Sequence, residues 1–370
     1  MNILHLISGG DTGGAKTHVL SLIKELSKTE KVKIVCFIED EFYHDGKAMG
    51  IDIEIYKQNS RFDISVINRL TELIEKEKFE IVHCHGARAN FIAMFLRHKI
   101  KIPMITTVHS DYKLDFKDTF YKKVIFTTLN SYALKKFNYY IAVSRNFKEM
   151  LVERNFNPDK IYTVYNGIDL EEKSEIMEKE AFLKKYNLVL GDQKVIGIVS
   201  RLDSNKNVEL LIRAAISMLT RRDDIRFLVA GEGVDGEKLK HMVKENHVEK
   251  EIQFVGHIRD TESFYDLIDI NVLTSNSESF PYVILEGAKH KKMIISTDVG
   301  GISDLVENGI NGYLIEVGNQ KQLEEAITEA LENNRYKQMG QKLYEKVERK
   351  FSLKNMAQDH VEIYKSILKS

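Results

Sequence analysis

The feature that most constrains the fold is a regular alternation of short β-branched runs with longer amphipathic runs along the whole chain. The short runs have the length and composition of buried strands, and they include Ile3–Ser8, Lys33–Glu39, Glu80–His85, Lys194–Ser200 and Ile225–Ala230. The longer runs between them, such as Thr17–Lys28 and Asn207–Arg221, have helical periodicity. Because strands that alternate with helices are joined by crossovers, the pattern predicts α/β domains built on parallel sheets.

The length of the chain and one break in the alternation indicate two domains. A chain of 370 residues exceeds the usual limit for a single hydrophobic core. The stretch Asp169–Asp192 is rich in charged residues and interrupts the alternation of strands and helices, as a domain boundary would. We therefore predict two doubly wound, Rossmann-like domains, 1–168 and 169–352, which face each other across a cleft.

Composition is that of a soluble globular protein and argues against nucleic acid as a partner. Basic and acidic residues number 54 and 55, so no overall positive charge would attract a polyanion. No apolar run approaches the ~18 residues of a membrane span, and the first residues enter a strand without a signal-peptide pattern. We expect a cytoplasmic protein in which Cys36 and Cys84 are buried thiols.

The stretch with the most chemical content is Ser275–Gly301, whose pattern predicts a strand, a loop, a helix and a second strand, followed by a glycine pair. A proline suits the first turn of that helix, whose N-terminus then becomes an anion site. The free amides at this end would be those of Tyr282, Val283 and Ile284. Glu278 precedes the helix and Glu286 lies inside it. Two carboxylates that flank an anion site suit the phosphate and hydroxyl groups of a nucleotide sugar.

Three further loops at strand ends carry groups that suit a nucleotide diphosphate or its base. The glycine-rich turn after the first strand includes Gly13–Gly14, where backbone amides could close on a phosphate. After the first strand of the second half, Arg201 provides a planar fork and Lys206 a point charge. Gly256–His257 ends a later strand, where backbone groups could line a base pocket. Each loop taken alone is equally compatible with an ordinary surface turn.

Several histidines lie in or beside the predicted strands of the first half. His109 ends a strand and is placed to bind substrate, although such a residue is often only a strand-end histidine. His83 and His85 are two apart on one strand, share a face and could bind a metal in principle. Because no third ligand lies at a suitable spacing, we favour packing or substrate contact and expect no metal site. His18, one turn into the first helix, is expected to be structural.

Taken in order, these stretches resemble the motif set of the retaining GT-B glycosyltransferases of family 4. The set comprises GGAKTHV, VHSD, AVSRNFKE, VYNGID, SRLDSNKN, VAGEG, FVGH, two glutamates separated by seven residues, and STDVGGISDLVENGINGYLI. It runs from residue 2 to the final helix. Single motifs in it are weak, and their order along the chain is what makes the resemblance specific.

The resemblance implies a GT-B fold whose C-terminal domain holds most of the donor sugar nucleotide. It implies that the final helix, within 353–370, crosses back to the N-terminal domain. It also implies a retaining mechanism in which the acceptor hydroxyl attacks from the face that the nucleotide leaves, without an enzymic nucleophile and without a cofactor.

The resemblance further implies a role for each matching residue. Glu286 would bind the ribose hydroxyls, whereas Arg201 and Lys206 would bind the diphosphate, which Gly14 would approach from the N-terminal side. Glu278 would hold hydroxyls of the donor sugar, and His109 would lie beside the reacting carbon. In this family the histidine is commonly followed directly by an aspartate, but here Ser110 separates His109 from Asp111. Asp111 is therefore not expected to orient the histidine.

A basic and aromatic segment, 112–140, has two interpretations. Residues 88–148 include 12 basic and 3 acidic side chains, and 112–140 interleaves lysines with aromatic residues. This composition suits an anionic membrane surface, at the inner face of the membrane, or a lipid-diphosphate acceptor. It equally suits a solvated pair of helices with one face in the core.

These features together predict a transferase that moves a hexose or N-acetylhexosamine from a nucleotide, expected to be UDP, to a glycan or lipid-linked acceptor in cell-surface polysaccharide synthesis. A sugar-nucleotide 2-epimerase of the same architecture is one alternative. A non-catalytic subunit of a transferase complex is another. The intact set of two cations and two glutamates favours the transferase.

Overall fold

The computed structural model describes residues 1–10, 13–60, 63–113, 120–172 and 175–370, without the side chains of 120–126 and 333. Within these ranges the chain forms two compact units. The first comprises Met1–Gly167 and Leu353–Ser370, and the second comprises Ile168–Ser352. Each unit is built on one parallel sheet with helices between its strands, as the alternating pattern predicts.

The first unit has a seven-stranded parallel sheet. Its elements are β1 (Asn2–Ile7), α1 (Gly14–Leu26), β2 (Lys31–Cys36), α2 (Glu41–Ala48), β3 (Ile53–Ile55), α3 (Val66–Glu77), β4 (Ile81–His85), α4 (Gly86–Leu96), β5 (Met104–Val108), α5 (Phe120–Leu134), β6 (Tyr139–Ala142), α6 (Arg145–Glu153) and β7 (Ile161–Thr163). The strand order is β3-β2-β1-β4-β5-β6-β7. The order reverses between β1 and β4, which creates a switch point at the carboxyl edge of the sheet.

Both faces of this sheet are buried. On β1, Leu4 and Leu6 belong to one core cluster, whereas Ile3 and Ile7 belong to the other. This alternation follows from the period of two in a strand and explains why the run has no polar face. The chain's last helix, which is α15 (Leu353–Lys369) in chain order, adds its apolar face to the second cluster beside α1.

The second unit has a six-stranded parallel sheet. Its elements are α7 (Lys179–Lys185), β8 (Lys194–Val199), α8 (Val208–Leu219), β9 (Ile225–Ala230), α9 (Gly236–Glu245), β10 (Ile252–Gly256), α10 (Thr261–Leu267), β11 (Ile270–Leu273), α11 (Tyr282–Lys289), β12 (Met293–Thr297), α12 (Ile302–Leu305), β13 (Gly312–Ile315), α13 (Gln320–Leu331) and α14 (Arg335–Lys350). The strand order is β10-β9-β8-β11-β12-β13, so a second switch point lies between β8 and β11.

Several predicted elements differ from the observed ones at their ends, and two of the differences have a clear physical reason. The strand predicted at Lys33–Glu39 ends at Cys36, because the next two amides both bond to the Ser8 carbonyl and leave the ladder. Strand β13 was not predicted, since it has four residues and begins with a glycine. That glycine is required, because a Cβ at Gly312 would lie 2.6 Å from the Ile294 carbonyl oxygen. Among the described residues, no helix combines the length and the apolar content needed to cross a bilayer.

Candidate active site

The charged residues predicted in the second unit lie at the switch point of its sheet. Arg201 and Lys206 are in the loop that follows β8, and Glu278 is in the loop that follows β11. Strands β8 and β11 are neighbours and parallel, so both loops leave the same edge of the sheet. Ligands of open parallel sheets bind beyond the carboxyl ends of the strands at such a point.

These two loops are hydrogen-bonded to each other along their length. The Asn276 amide donates to the Asn205 carbonyl at 2.7 Å, and the Asn276 side chain donates to the Ser204 carbonyl at 2.8 Å. The Asn205 side chain donates a hydrogen bond to the Ser277 carbonyl at 3.1 Å. The short polar residues of both loops therefore hold the backbone on either side of Lys206 and Glu278 in a fixed position.

Lys206 and Glu278 form an ion pair. The Lys206 Nζ lies 2.5 Å from the Glu278 Oε1, and the Ser275 hydroxyl donates to the same oxygen at 2.6 Å. Both side chains are largely covered, with exposures of 19% and 10%. The structure thus brings together two residues that the resemblance assigned to neighbouring parts of the ligand, Lys206 to the diphosphate and Glu278 to the donor sugar.

Arg201 is held much more loosely than the lysine. Its side chain is 74% exposed and lies 3.3 Å from the Asp203 carboxylate. The other oxygen of Asp203 accepts the amides of Asn205 and Lys206, both at 3.0 Å, and so shapes the loop. Arg201 therefore has room to turn towards a ligand, whereas the lysine is already fixed.

Helix α11 begins one residue later than predicted. Pro281 has extended backbone angles and is the N-cap, so Tyr282 is the first helical residue. The amide of Ile284 donates to the Pro281 carbonyl at 3.3 Å, which removes it from the predicted set of three free amides. Tyr282 and Val283 occupy the first two helical positions, whose amides have no acceptor within a helix. The anion site at this end is therefore narrower than the sequence indicated.

Glu286 lies within α11 and is partly buried. Burial raises the pKa of its carboxyl group to about 7, and the neighbouring Tyr265 hydroxyl opposes that shift. The Glu262 carboxylate adds a smaller upward effect, although it is itself paired with His290 at 2.7 Å and Lys289 at 2.9 Å. A carboxyl group with such a raised pKa is typical of a functional site.

A glycine pair after β12 supports the Glu278 loop. Gly300 has φ = 59°, and a Cβ there would lie 1.8 Å from the Glu278 carbonyl oxygen. The Gly301 amide donates to the Ser279 carbonyl at 2.8 Å. Sequence reasoning noted the pair but missed this role, whose only signal was the glycines themselves.

The predicted base-binding residues lie farther along the sheet. Gly256 ends β10, which is the edge strand, and its φ of 76° requires glycine. Its carbonyl accepts the Gly231 amide at 2.8 Å. His257 is exposed, and its amide lies 3.4 Å from the Glu232 carboxylate. None of these contacts joins them to the pair of Lys206 and Glu278.

In the first unit, His109 follows β5 and is partly buried. Its Nε2 lies 3.2 Å from the His85 Nδ1, and burial lowers its pKa to about 4, so the imidazole is neutral at pH 7. Asp111 binds both terminal nitrogens of Arg154, each at 2.7 Å, and so is engaged away from the histidine. His85, not Asp111, is the neighbour that orients His109.

The glycine-rich turn of this unit is described in part. Gly13 has φ = 61° and caps α1, which begins at Gly14, whereas Asp11 and Thr12 lie outside the described residues. The turn follows β1 at the first switch point, so it has the position that a phosphate-binding loop requires.

Sequence reasoning missed the third partner of His83 and His85. Strand register places His5 opposite His83, and the His5 Nδ1 lies 2.9 Å from the His85 Nε2. His18, expected to be structural, has its ring 4.7 Å from that of His109. Spacing along the chain could not reveal this neighbour, because the third histidine comes from another strand.

The segment 112–140 is only partly described. Residues 114–119, with Phe116 and Lys117, lie outside the described residues, as do the side chains of 120–126. Of the remainder, Phe137 is buried, whereas Tyr132 is 54% exposed with the Lys136 ammonium 4.3 Å from its ring centre. The membrane contact stays a prediction.

Comparison with known proteins agrees with this architecture over the whole chain. The structure of HepE from Anabaena with UDP is similar, with a TM-score of 0.84 at 18% identity, and covers 99% of this chain and 100% of that one. The same protein with UDP-glucose gives a TM-score of 0.82 at 19% identity with the same coverage. The two parallel sheets and this likeness define a GT-B glycosyltransferase fold.

Two family models match consecutive parts of the chain and together span well over half of it. Glycosyltransferase Family 4 matches residues 12–172, and Glycosyl transferases group 1 matches residues 179–349. The chain belongs to the family 4 glycosyltransferases.

Two curated relatives have similar sequences over most of their length. N-acetyl-alpha-D-glucosaminyl L-malate synthase of Bacillus anthracis is 26% identical over 316 residues, 83% of this chain and 80% of that protein. The O-antigen biosynthesis glycosyltransferase WclY of Escherichia coli is 24% identical over 378 residues, 100% of this chain and 99% of that protein.

Proposed function

We propose that the protein is a retaining glycosyltransferase that moves a hexose or N-acetylhexosamine from UDP to a glycan or lipid-linked acceptor of a cell-surface polysaccharide. The observation that carries this proposal is the pair of Lys206 and Glu278 at the switch point, beside the N-terminus of α11. The UDP and UDP-glucose complexes of the structurally similar HepE support the choice of nucleotide. The O-antigen relative supports the choice of acceptor class.

In this proposal the leaving diphosphate is stabilised by groups that are in place before reaction. Lys206 supplies a fixed positive charge, Arg201 supplies a mobile one, and the first amides of α11 supply donors. Preorganised donors of this kind contribute about 3–4 kcal/mol each to the transition state in a closed site. No metal ion is needed at the diphosphate, because these groups neutralise its charge.

Glu278 then has two roles in the proposed site. Its carboxylate orients Lys206, and it accepts hydrogen bonds from hydroxyls of the donor sugar. The transition state has oxocarbenium character, which a nearby carboxylate stabilises electrostatically. The acceptor hydroxyl attacks from the face that the diphosphate leaves and passes its proton to the leaving phosphate oxygen. We assign His109 a place beside the reacting carbon.

Glu286 is proposed to bind the ribose hydroxyls. Its ionised carboxylate can accept two hydrogen bonds, and those bonds favour the charged form that burial disfavours. Binding of the nucleotide would therefore lower the pKa of Glu286 and release part of a proton near neutral pH. Tyr282 and Val283 would contribute their amides, and Gly13–Gly14 and Gly256–His257 would contribute backbone contacts to the phosphates and the base.

The test is incubation of the full chain with UDP- and GDP-sugars, with and without lipid-linked and oligosaccharide acceptors. We expect release of UDP that depends on acceptor, with the anomeric configuration of the donor retained in the product as read by NMR coupling constants. Formation of the 2-epimer without acceptor would instead favour the epimerase. Binding of UDP without turnover on any acceptor would favour the non-catalytic subunit.

A further inference from the structure

Six histidines cluster in the first unit, on one face of its sheet and on the helices that cover it. They are His5, His18, His83, His85, His109 and His360. All but His109 are at most 1% exposed. They come from β1, β4, the end of β5, α1 and α15, so the fold gathers residues that are far apart in the chain.

The hydrogen-bond partners of two of these rings assign the ring hydrogen to one nitrogen. The His18 Nδ1 lies 2.9 Å from the Asn166 side-chain oxygen, and the His360 Nδ1 lies 2.7 Å from the Met356 carbonyl oxygen. Because those oxygens can only accept, Nδ1 carries the hydrogen in both rings and Nε2 has a bare lone pair. Each Nε2 is buried and has no hydrogen-bond partner among the described residues. A buried acceptor without a partner is costly and calls for a donor or a cation.

The ring of His18 lies near the rings of two other histidines, His85 and His109. One ring nitrogen each of His18, His85 and His109 lie within 4.8 Å of one another. The His85 Nδ1 and the His109 Nε2 are 3.2 Å apart, which is at the long end of the range for a hydrogen bond. Two nitrogens that each lie about 2.0–2.1 Å from a tetrahedral Zn²⁺ would be about 3.3 Å apart.

The opposite nitrogens of these rings have the partners that metal ligands have. A histidine that binds a metal usually donates its other N–H to a neighbouring group, which fixes the ring. For His18 the neighbouring group is the side-chain oxygen of Asn166. For His85 it is His5, whose Nδ1 lies 2.9 Å from the His85 Nε2. His109 is partly exposed, so an ion could reach the three nitrogens from its side.

We propose that His18, His85 and His109 form a binding site for a borderline divalent transition metal such as Zn²⁺. Three imidazoles favour Zn²⁺, Co²⁺, Ni²⁺ or Cu²⁺ over Mg²⁺ and Ca²⁺, which prefer oxygen ligands. The triad brings no negative charge, so the fourth position takes water, hydroxide or an anion. This proposal departs from our expectation from sequence that no metal would bind.

The metal site does not rest on the proposed transferase activity. It uses the Nε2 of His109 and leaves the Nδ1 of that ring for contact with a substrate. A metal at this site would therefore hold His109 in one tautomer and one orientation. Metal binding and sugar transfer are measured in separate experiments, so failure of the metal proposal is distinguishable from failure of the proposed transferase activity.

The test is a titration of the chelator-treated, untagged full chain with Co²⁺, followed by displacement with Zn²⁺. We expect visible absorption bands of tetrahedral Co²⁺ that saturate at one equivalent per chain and vanish when Zn²⁺ is added. His18→Ala should abolish the bands. The matched control is His241→Ala, which removes an exposed histidine beside Glu245 and should leave the bands unchanged.

A second pair of variants keeps the proposal testable if His18→Ala fails to fold. Asn166→Leu should weaken Co²⁺ binding by about 10–100-fold, whereas Asn166→Asp should preserve it, because a carboxylate also accepts the His18 N–H. Circular dichroism of the metal-free variants checks folding. Absence of a tetrahedral spectrum in the folded wild type would overturn the proposal and leave a hydrogen-bonded histidine chain. Bands lost with His241→Ala would also overturn it.

Discussion

A single ion pair carries much of the proposed chemistry at the scale of the residue. Lys206 and Glu278 are each mostly covered and share a contact of 2.5 Å. When one partner of a largely buried ion pair is removed, the charge of the other partner is left without its neutralising neighbour. Effects of substitutions at the two positions should therefore not add.

Lys206→Ala should reduce turnover by about 10²–10³-fold while weakening UDP binding less than tenfold, because the lysine acts on charge that develops as the diphosphate leaves. Initial rates of UDP release and calorimetric titration with UDP measure the two effects. Lys238→Ala is the matched control, since it removes an exposed ion pair with Glu209 in the same unit. Equal losses in turnover and binding would contradict this role for Lys206.

The raised pKa of Glu286 predicts that the stability of the folded chain changes with pH. Its pKa is about 7 in the folded chain and 4.5 in the unfolded chain, so the folded state binds more protons between these values. Its contribution to stability is therefore fully present below pH 4.5 and is lost as the pH rises through 7. Glu286→Gln, which cannot ionise, should become more stable relative to wild type by about 3 kcal/mol between pH 4.5 and pH 8.

Urea unfolding of wild type and Glu286→Gln at several pH values measures this difference. Glu249→Gln, at an exposed position in the same unit, is the matched control for removal of one carboxylate. A free-energy difference between wild type and Glu286→Gln that stays constant with pH would rule out the buried, proton-binding state of Glu286.

At the scale of the element, the site depends on loops that are packed against one another. The loop after β8 and the loop after β11 are hydrogen-bonded, and the glycine pair after β12 lies against the second of them. Neighbouring strands bring these three loops to one edge of the sheet. The position of Glu278 is therefore decided by backbone contacts from two other segments.

Gly300→Ala should lower both stability and turnover, because the new Cβ would meet the Glu278 carbonyl oxygen and displace the loop. Gly309→Ala is the matched control, since Gly309 also has a positive φ of 74° but its Cβ would meet nothing within 4 Å. The control should show only backbone strain of about 1–2 kcal/mol with turnover retained. Urea unfolding measures the loss of stability in each variant, and the rate of UDP release measures the loss of turnover. Equal losses in Gly300→Ala and Gly309→Ala would count against the packing role of Gly300.

At the scale of the whole molecule, a donor that binds only the folded chain must stabilise it. UDP or a UDP-sugar at about 100 times its Kd should add about 2.7 kcal/mol to the free energy of unfolding. Thermal unfolding of the full chain with UDP, GDP and CMP at equal concentrations measures this preference. We expect the largest shift with UDP, and a larger shift with GDP would reassign the nucleotide.

The sequence by itself determined the class of domain and the family. Both follow from short sequence motifs and from local hydrophobic periodicity, which can be recognised without reference to distant parts of the chain. The run Ile225–Ala230 was predicted with the bounds that β9 has, because a strand buried on both faces is an almost continuous apolar run. Strand ends were less certain, as Phe37 shows, since an apolar residue is equally buried in a ladder or in the loop beyond it.

Only the tertiary structure decided which residues meet. Lys206 and Glu278 are 72 positions apart and are brought together because β8 and β11 are neighbours. His18, His85 and His109 come from three elements whose order and register no single run encodes. The physical reason is that periodicity specifies which face of an element is buried, whereas the partner on the other side depends on the order in which strands pair.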